Sequence, residues 1–270
     1  MWYNGFMFEI CVLIFVIILG AVMGSFACCQ AWRIRLKEEG KKDPGKRSVC
    51  IACGKKLKWF ENIPILSWLI QKGKCRKCGT AIGRAEILAE ILGAVSFGVI
   101  GWNYLCVIPE EVGPLEMLAT INLPAMVAAM AAMVGLILLA VYDGKWGEMP
   151  VSILIYTVVM SGVYAAFDFT EIWSLVGGVA ILSGTYYLLY FLSKEKLVGG
   201  GDWILCLAIG FLLADWRLAL VELCLSNLLG SIVMLPKRKK KMAFGPFLVV
   251  AFVIIFATKG WLLSTLAMEL

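Results

Sequence analysis

Nearly all of the chain reads as long apolar runs separated by short polar breaks, which leaves no polar face for a water-soluble core to set against them. Eight runs are expected to form membrane helices: 7–29, 86–108, 122–142, 150–167, 172–192, 202–215, 217–235 and 244–264. A helix needs about 20 apolar residues to cross a hydrocarbon core of about 30 Å. The sixth run is short for that and is expected to be tilted or broken near Asp215, Trp216 and Arg217, so seven spans is the competing count. The pattern predicts an all-α polytopic membrane protein of about eight transmembrane helices. Composition agrees, with 61% hydrophobic and 16% charged residues in 270.

The net charge of +6 could suggest a nucleic-acid partner, but the basic residues cluster between apolar runs. The segment from Arg33 to Arg84 carries 15 Lys and Arg against four Asp and Glu, and "PKRKKK" at 236–241 is basic as well. Both are expected on the cytoplasmic side, where such clusters anchor to anionic headgroups. The connections "PEEVGPLE" at 109–116 and "DFTE" at 168–171 contain no Lys or Arg and are expected outside. Asp168 and Asp215 go with the outer side, whereas Asp143 and Asp202 share the cytoplasmic leaflet. "SFAC" ending at Cys28 resembles a lipoprotein cleavage box, yet no basic residue precedes it, so a retained first span with an outside amino terminus is expected.

Inside the basic segment, Cys50 and Cys53 stand at C-x-x-C spacing, Cys75 and Cys78 repeat it, and 21 residues intervene. Each C-x-x-C-G turn can aim two thiolates at one point, and two such turns make a closed tetrahedral sulfur site suited to structural Zn(II). Two disulfides are the alternative, disfavoured in a reducing cytosol. Cys11, Cys28, Cys29, Cys106, Cys206 and Cys224 lie in or beside apolar runs and are expected to serve as small lipid- or core-facing residues.

The chain has no histidine, which removes imidazole acid/base chemistry and leaves carboxylates as the leading candidates. Asp143 ends the third run in "LAVYDGKWGEMP", and Asp202 opens the sixth in "GGGDWIL". Alone, either could merely stop a span or cap a helix. Brought together, two carboxyls at the rim of a low-dielectric site cannot both ionise easily, so the neutral one can polarise a peptide carbonyl while its partner takes a proton from water. Gly199, Gly200 and Gly201 are expected to give an extended substrate room beside the acid.

These residues resemble the bacterial type IV prepilin peptidases, membrane aspartic proteases of the GxGD group. "GSF" at 24–26 is similar to the family's first-span motif, and "WFENIPILSWL" with "GKCRKC" to its cytoplasmic zinc-binding insertion. "AEILAEILGA" resembles the segment that re-enters the membrane, Asp143 with Pro150 the first catalytic aspartate, Gly199–Gly201–Asp202 the GxGD motif, and "FGPFL" at 244–248 the late signature. Two positions depart from the pattern: Val151 follows Pro150 in place of an acid, and Arg84, Ala85 and Glu86 replace an Arg-Tyr-Pro. The resemblance implies a first helix at 1–32, a zinc-binding loop domain at 33–85 and a protease core at 86–270. It implies cleavage of the basic leader of prepilins or pseudopilins after a glycine, at the cytoplasmic face of the inner membrane, with no nucleic acid involved. Many members also methylate the new amino terminus with S-adenosylmethionine, an activity nothing in these residues shows by itself. A small transporter or ion channel with intramembrane aspartates is the alternative class, and it leaves the four-cysteine loop without a use.

Overall fold

The computed structural model describes residues 2–42, 45, 47–105, 121–168, 171–194, 198–237 and 243–267. The acidic stretch at 109–116, positions 169–170, the basic run from 238 to 241, and Cys106 lie outside these residues. The described helices, in chain order, are α1 (Trp2–Glu38), α2 (Leu66–Ile70), α3 (Arg84–Leu105), α4 (Leu123–Trp146), α5 (Val151–Asp168), α6 (Ile172–Ser193), α7 (Gly200–Leu213), α8 (Trp216–Lys237) and α9 (Gly245–Ala267). A 3-10 turn at Trp59–Asn62 precedes α2. Among the described residues the only extended pairing is two isolated β-bridges in the cysteine segment.

Seven of these helices are long and apolar enough to cross a membrane, and α7 is not. The sixth expected run is this short helix, and among the described residues the competing count of seven span-length helices is the one that holds. Fourteen residues reach about 21 Å at 1.5 Å per residue, short of a bilayer core. The shortfall lies at its far end. Gly200 opens α7 beside Tyr190 near the end of α6, whereas the α7–α8 turn meets α6 at Gly178, inside that helix. Ala214 closes α7 in the left-handed region at φ 51°, and Asp215 starts α8 by accepting the Arg217 amide at 2.8 Å. Asp215, expected outside, is recessed and paired with Arg217 at 2.9 Å.

The first helix runs beyond the expected boundary at 32 to Glu38. Its last turns leave the apolar stretch and gain exposed ion pairs, among them Arg35 with Glu39 at 2.9 Å. α1 and α3 pack antiparallel through small residues. A Cβ on Gly24 would run into the Ala89 carbonyl, and one on Gly20 into Gly93, so the backbones approach as closely as glycine permits.

α4 is the hub. Its most apolar window is 83% buried, against 28–39% for the other span-length helices, because α1, α3, α5 and α9 all pack on it. A helix that is apolar on every side belongs at such a centre. Its carboxy-terminal turn is therefore held from several directions, and Asp143 sits in that turn.

Candidate active site and metal centre

Asp143 occupies the last turn of α4, where Gly147 at φ 70° ends the helix by donating its amide to the Asp143 carbonyl at 2.7 Å. The side chain is buried, and Oδ2 accepts the Gly245 amide at 2.8 Å. Gly245 is the first residue of α9, so the Asp143 carboxylate serves as a cap on a different helix. A Cβ at position 245 would lie 2.9 Å from Asp143 Oδ2 and 2.8 Å from Met149 Cε, so glycine lets both side chains approach this helix start closely. "FGPFL" thus acquires a physical role: it brings a helix start onto Asp143.

Asp202 is the third residue of α7 and caps its own helix, accepting the Gly199 amide on Oδ2 at 2.9 Å. Its side chain is half-buried, and Met149 stands beside both its neighbour Gly201 and Gly245, the residue whose amide Asp143 accepts. Both expected carboxylates therefore stand at helix starts at one end of the bundle. Each uses Oδ2 for a backbone amide, and among the described residues Oδ1 of each has no hydrogen-bond partner.

Of the three glycines before Asp202, the structure fills the space beside one, Gly201. None of them has positive φ, and Gly199 is extended at φ −76°. A Cβ on Gly201 would lie 2.8 Å from Met149 Sδ, so that face is already filled by the methionine from the α4–α5 connection. Met149 also contacts Gly245, which makes it the wedge between the starts of α7 and α9. Gly245 lies within the "FGPFL" motif, but neither its bond to Asp143 nor the part played by Met149 was indicated by motif or charge.

Cys50, Cys53, Cys75 and Cys78 come together as expected, with all four sulfurs within 4.8 Å of one another and Cys50 3.8 Å from Cys78. Sulfurs at about 2.3 Å from a tetrahedral zinc stand about 3.8 Å apart, so the cluster has the size of a metal site. The two knuckles repeat one geometry. The Cys50 amide donates to Lys55 O and the Cys75 amide to Thr80 O, both at 2.9 Å, with Gly54 and Gly79 at φ 66° and 70° in the turns. Hydrogen bonding with the Thr80 hydroxyl, to which Cys78 Sγ donates at 3.3 Å, and with the Thr80 amide brings the Cys78 thiol down to about 6. Cys53 is lowered by its Lys55 amide bond, yet burial and the neighbouring Cys50 and Cys78 push it up to about 11 overall. Four sulfurs this close cannot all carry charge unless a cation shares them.

Carboxylates tie this unit to the helices. The Lys55 ammonium, bonded at 2.7 Å, holds the buried Glu61 carboxylate below its usual range, and Glu61 also accepts the Lys58 amide at 2.9 Å. Glu90 on α3 accepts the Ile65 amide at 2.6 Å, and Glu86 pairs with Lys145 at 2.8 Å, two residues beyond Asp143. Arg35 reaches Glu148 at 2.8 Å, and Tyr142 donates to Glu38. The aspartate end of the bundle and the cysteine unit therefore form one connected polar region.

Comparison with known proteins places this arrangement. Residues 18–104 match the Bacterial Peptidase A24 N-terminal domain. A "Prepilin leader peptidase/N-methyltransferase" of Neisseria gonorrhoeae is 31% identical over 218 residues, which cover 77% of this chain and 70% of that protein. The chain belongs to the prepilin leader peptidase/N-methyltransferase family. The family member of Vibrio cholerae serotype O1 is 28% identical over 264 residues, 92% of this chain and 97% of the relative. The member of Myxococcus xanthus is 29% identical over 232 residues, and there the match spans 61% of the relative's length. No solved structure matches the chain at a significant level. Membership and the seven apolar helices together mark a multi-pass inner-membrane protein. They do not favour the transporter alternative.

Proposed function

We propose that this family member is a membrane aspartic endopeptidase that cuts the basic leader from prepilins or pseudopilins after a glycine, with Asp143 and Asp202 as its catalytic pair. The observation that carries this reading is that two carboxyls, from α4 and α7, each pinned by a backbone amide, flank the same Met149 at one end of the bundle. Pinning Oδ2 fixes each carboxyl plane and leaves Oδ1 for water and substrate. The pair shares one proton. The protonated member hydrogen-bonds to the scissile carbonyl, and the ionised member takes a proton from the attacking water, so no covalent intermediate forms. The adjoining polar region is cytoplasmic by its excess of Lys and Arg, which keeps a basic leader on the side where cleavage occurs.

The four-cysteine cluster holds one zinc that fixes the insertion, because the donor set is all thiolate and leaves no open ligand position. S-adenosylmethionine is the methyl donor the resemblance implies. A cavity of about 430 Å³ between α1, the cysteine unit and α3 fits such a molecule. Arg33 Nε, Trp68 Nε1 and Glu86 Oε2 line it and are buried without partners among the described residues. Arg33 and Trp68 would hold a carboxylate, and Glu86 an ammonium. When bound, the donor supplies a methyl group to an amine.

Incubating purified protein with a prepilin bearing an intact leader, followed by mass analysis, tests the whole reading. Asp143→Asn and Asp202→Asn should each lower cleavage by about 10²-fold or more, while Asp168→Asn and Asp215→Asn keep it. Full activity in either of the first two sinks the pair.

A further inference from the structure

We infer that the cysteine insertion is seated in the membrane it adjoins, with α2 lying at the boundary between headgroups and acyl chains of the same leaflet. The argument starts from depth. Gly24 of α1 packs on Ala89 and on the backbone of Glu90 of α3. The Ile65 amide is bonded to the carboxylate of the same Glu90 at 2.6 Å, which puts the start of α2 level with Gly24. Arg33, the first basic residue of α1, comes nine residues later, about 13.5 Å along the helix axis. α2 is thus held below the first charged turn of the helix beside it, alongside residues of the apolar span.

The attachment is specific. Ile65 takes φ 61°, a region a β-branched residue enters only under constraint, and the Glu90 bond supplies that constraint. Pro64, Ser67 and Trp68 line the same cavity as Val22 and Phe26, which α1 leaves 44% and 47% exposed on its outer face. With Trp68 turned inward, α2 presents Leu66, Leu69 and Ile70 outward, and these are 51%, 55% and 60% exposed. Three large apolar side chains in a row, at the depth of an apolar span, fit lipid and not water.

Charge agrees with the same occupant. Lys56 and Lys58 precede α2, and Lys72, Lys74, Arg76 and Lys77 follow it, all of them exposed. An apolar turn between exposed lysines matches an anionic leaflet, with lysines at the phosphates and leucines beneath them. The insertion cannot leave the surface, because α1 and α3 tether both of its ends. Lys145 lines the cavity that α2 closes and lies two residues beyond Asp143, so this seating places the cavity and the aspartates at one headgroup boundary.

The inference rests on the membrane fold and stands apart from the peptidase reading, which leader cleavage tests by itself. The experiment places a benzophenone amino acid at position 69, 70 or, as a control, 77 in the full chain, reconstituted in nanodiscs of phosphatidylglycerol and phosphatidylethanolamine. After irradiation, mass analysis should find acyl-chain adducts at 69 and 70 in several-fold excess over 77. Adducts at 69 and 70 that form only with protein, equal labelling at 77, or labelling that requires added prepilin would each overturn it.

Discussion

Met149 decides what a side chain at position 201 would meet. Because Sδ would stand 2.8 Å from a Cβ on Gly201, a larger residue there first displaces a flexible methionine and only then obstructs substrate. Gly201→Val is expected to lower leader cleavage while both carboxylates stay in place. Adding Met149→Ala should restore part of that loss, with a coupling of about 0.5–3 kcal/mol in a double-mutant cycle of cleavage rates. A purely additive pair would show that the valine blocks the substrate directly. At this scale the aspartates were legible in the sequence because a lone acid in an apolar chain is costly and therefore conspicuous. The part played by Met149 was not, nor was the bond from Gly245 to Asp143, although "FGPFL" marked that glycine, since neither residue carries charge and their roles depend on three chain segments meeting.

The close approach of α1 and α3 is a property of the two helices as a pair. Gly24 meets backbone atoms of Ala89 and Glu90, which cannot rotate away, so even one added methyl group must push the helices apart. Gly24→Ala is expected to destabilise the protein by about 1–3 kcal/mol, as overpacking does. Gly184 in α6 has nothing within 4 Å of its Cβ direction, and Gly184→Ala should be neutral or stabilise by up to about 1 kcal/mol through helix propensity. Unfolding in mixed detergent micelles, followed by circular dichroism, separates the two signs. Equal effects would mean that the small-residue contact is not tight. The shortness of α7 belongs to this scale too: its short apolar run and the polar break near Asp215 were visible, but the left-handed turn at Ala214 that ends it carries no glycine to mark it.

The metal centre acts on the whole molecule, because its knuckles are joined through Glu61 and Ile65 to α3, and α3 through Glu86 to the end of α4. Purified protein is expected to hold one zinc per chain, with Cys50, Cys53, Cys75 and Cys78 protected from thiol reagents. Chelation should expose them, open the segment between Arg47 and Ile82 to trypsin, and lower cleavage indirectly, with zinc restoring all three. Metal-free protein whose four thiols titrate freely while cleavage is unaffected would contradict this. Its contribution is through the fold, since the site is closed.

By itself the sequence determined the helical membrane class, the pairing of the cysteines into two knuckles, and the two carboxyls worth testing. Each of these is local. Apolar length, C-x-x-C spacing and an acid beside apolar residues are written within one segment, and their physical cost or benefit is set there. Only the tertiary structure decided that Asp143 caps α9, that Met149 fills the face of Gly201, and that α2 hangs from Glu90 level with Gly24. These depend on atoms far apart in the chain coming within hydrogen-bond or van der Waals reach. Such contacts follow from how helices pack around α4, which no single segment records.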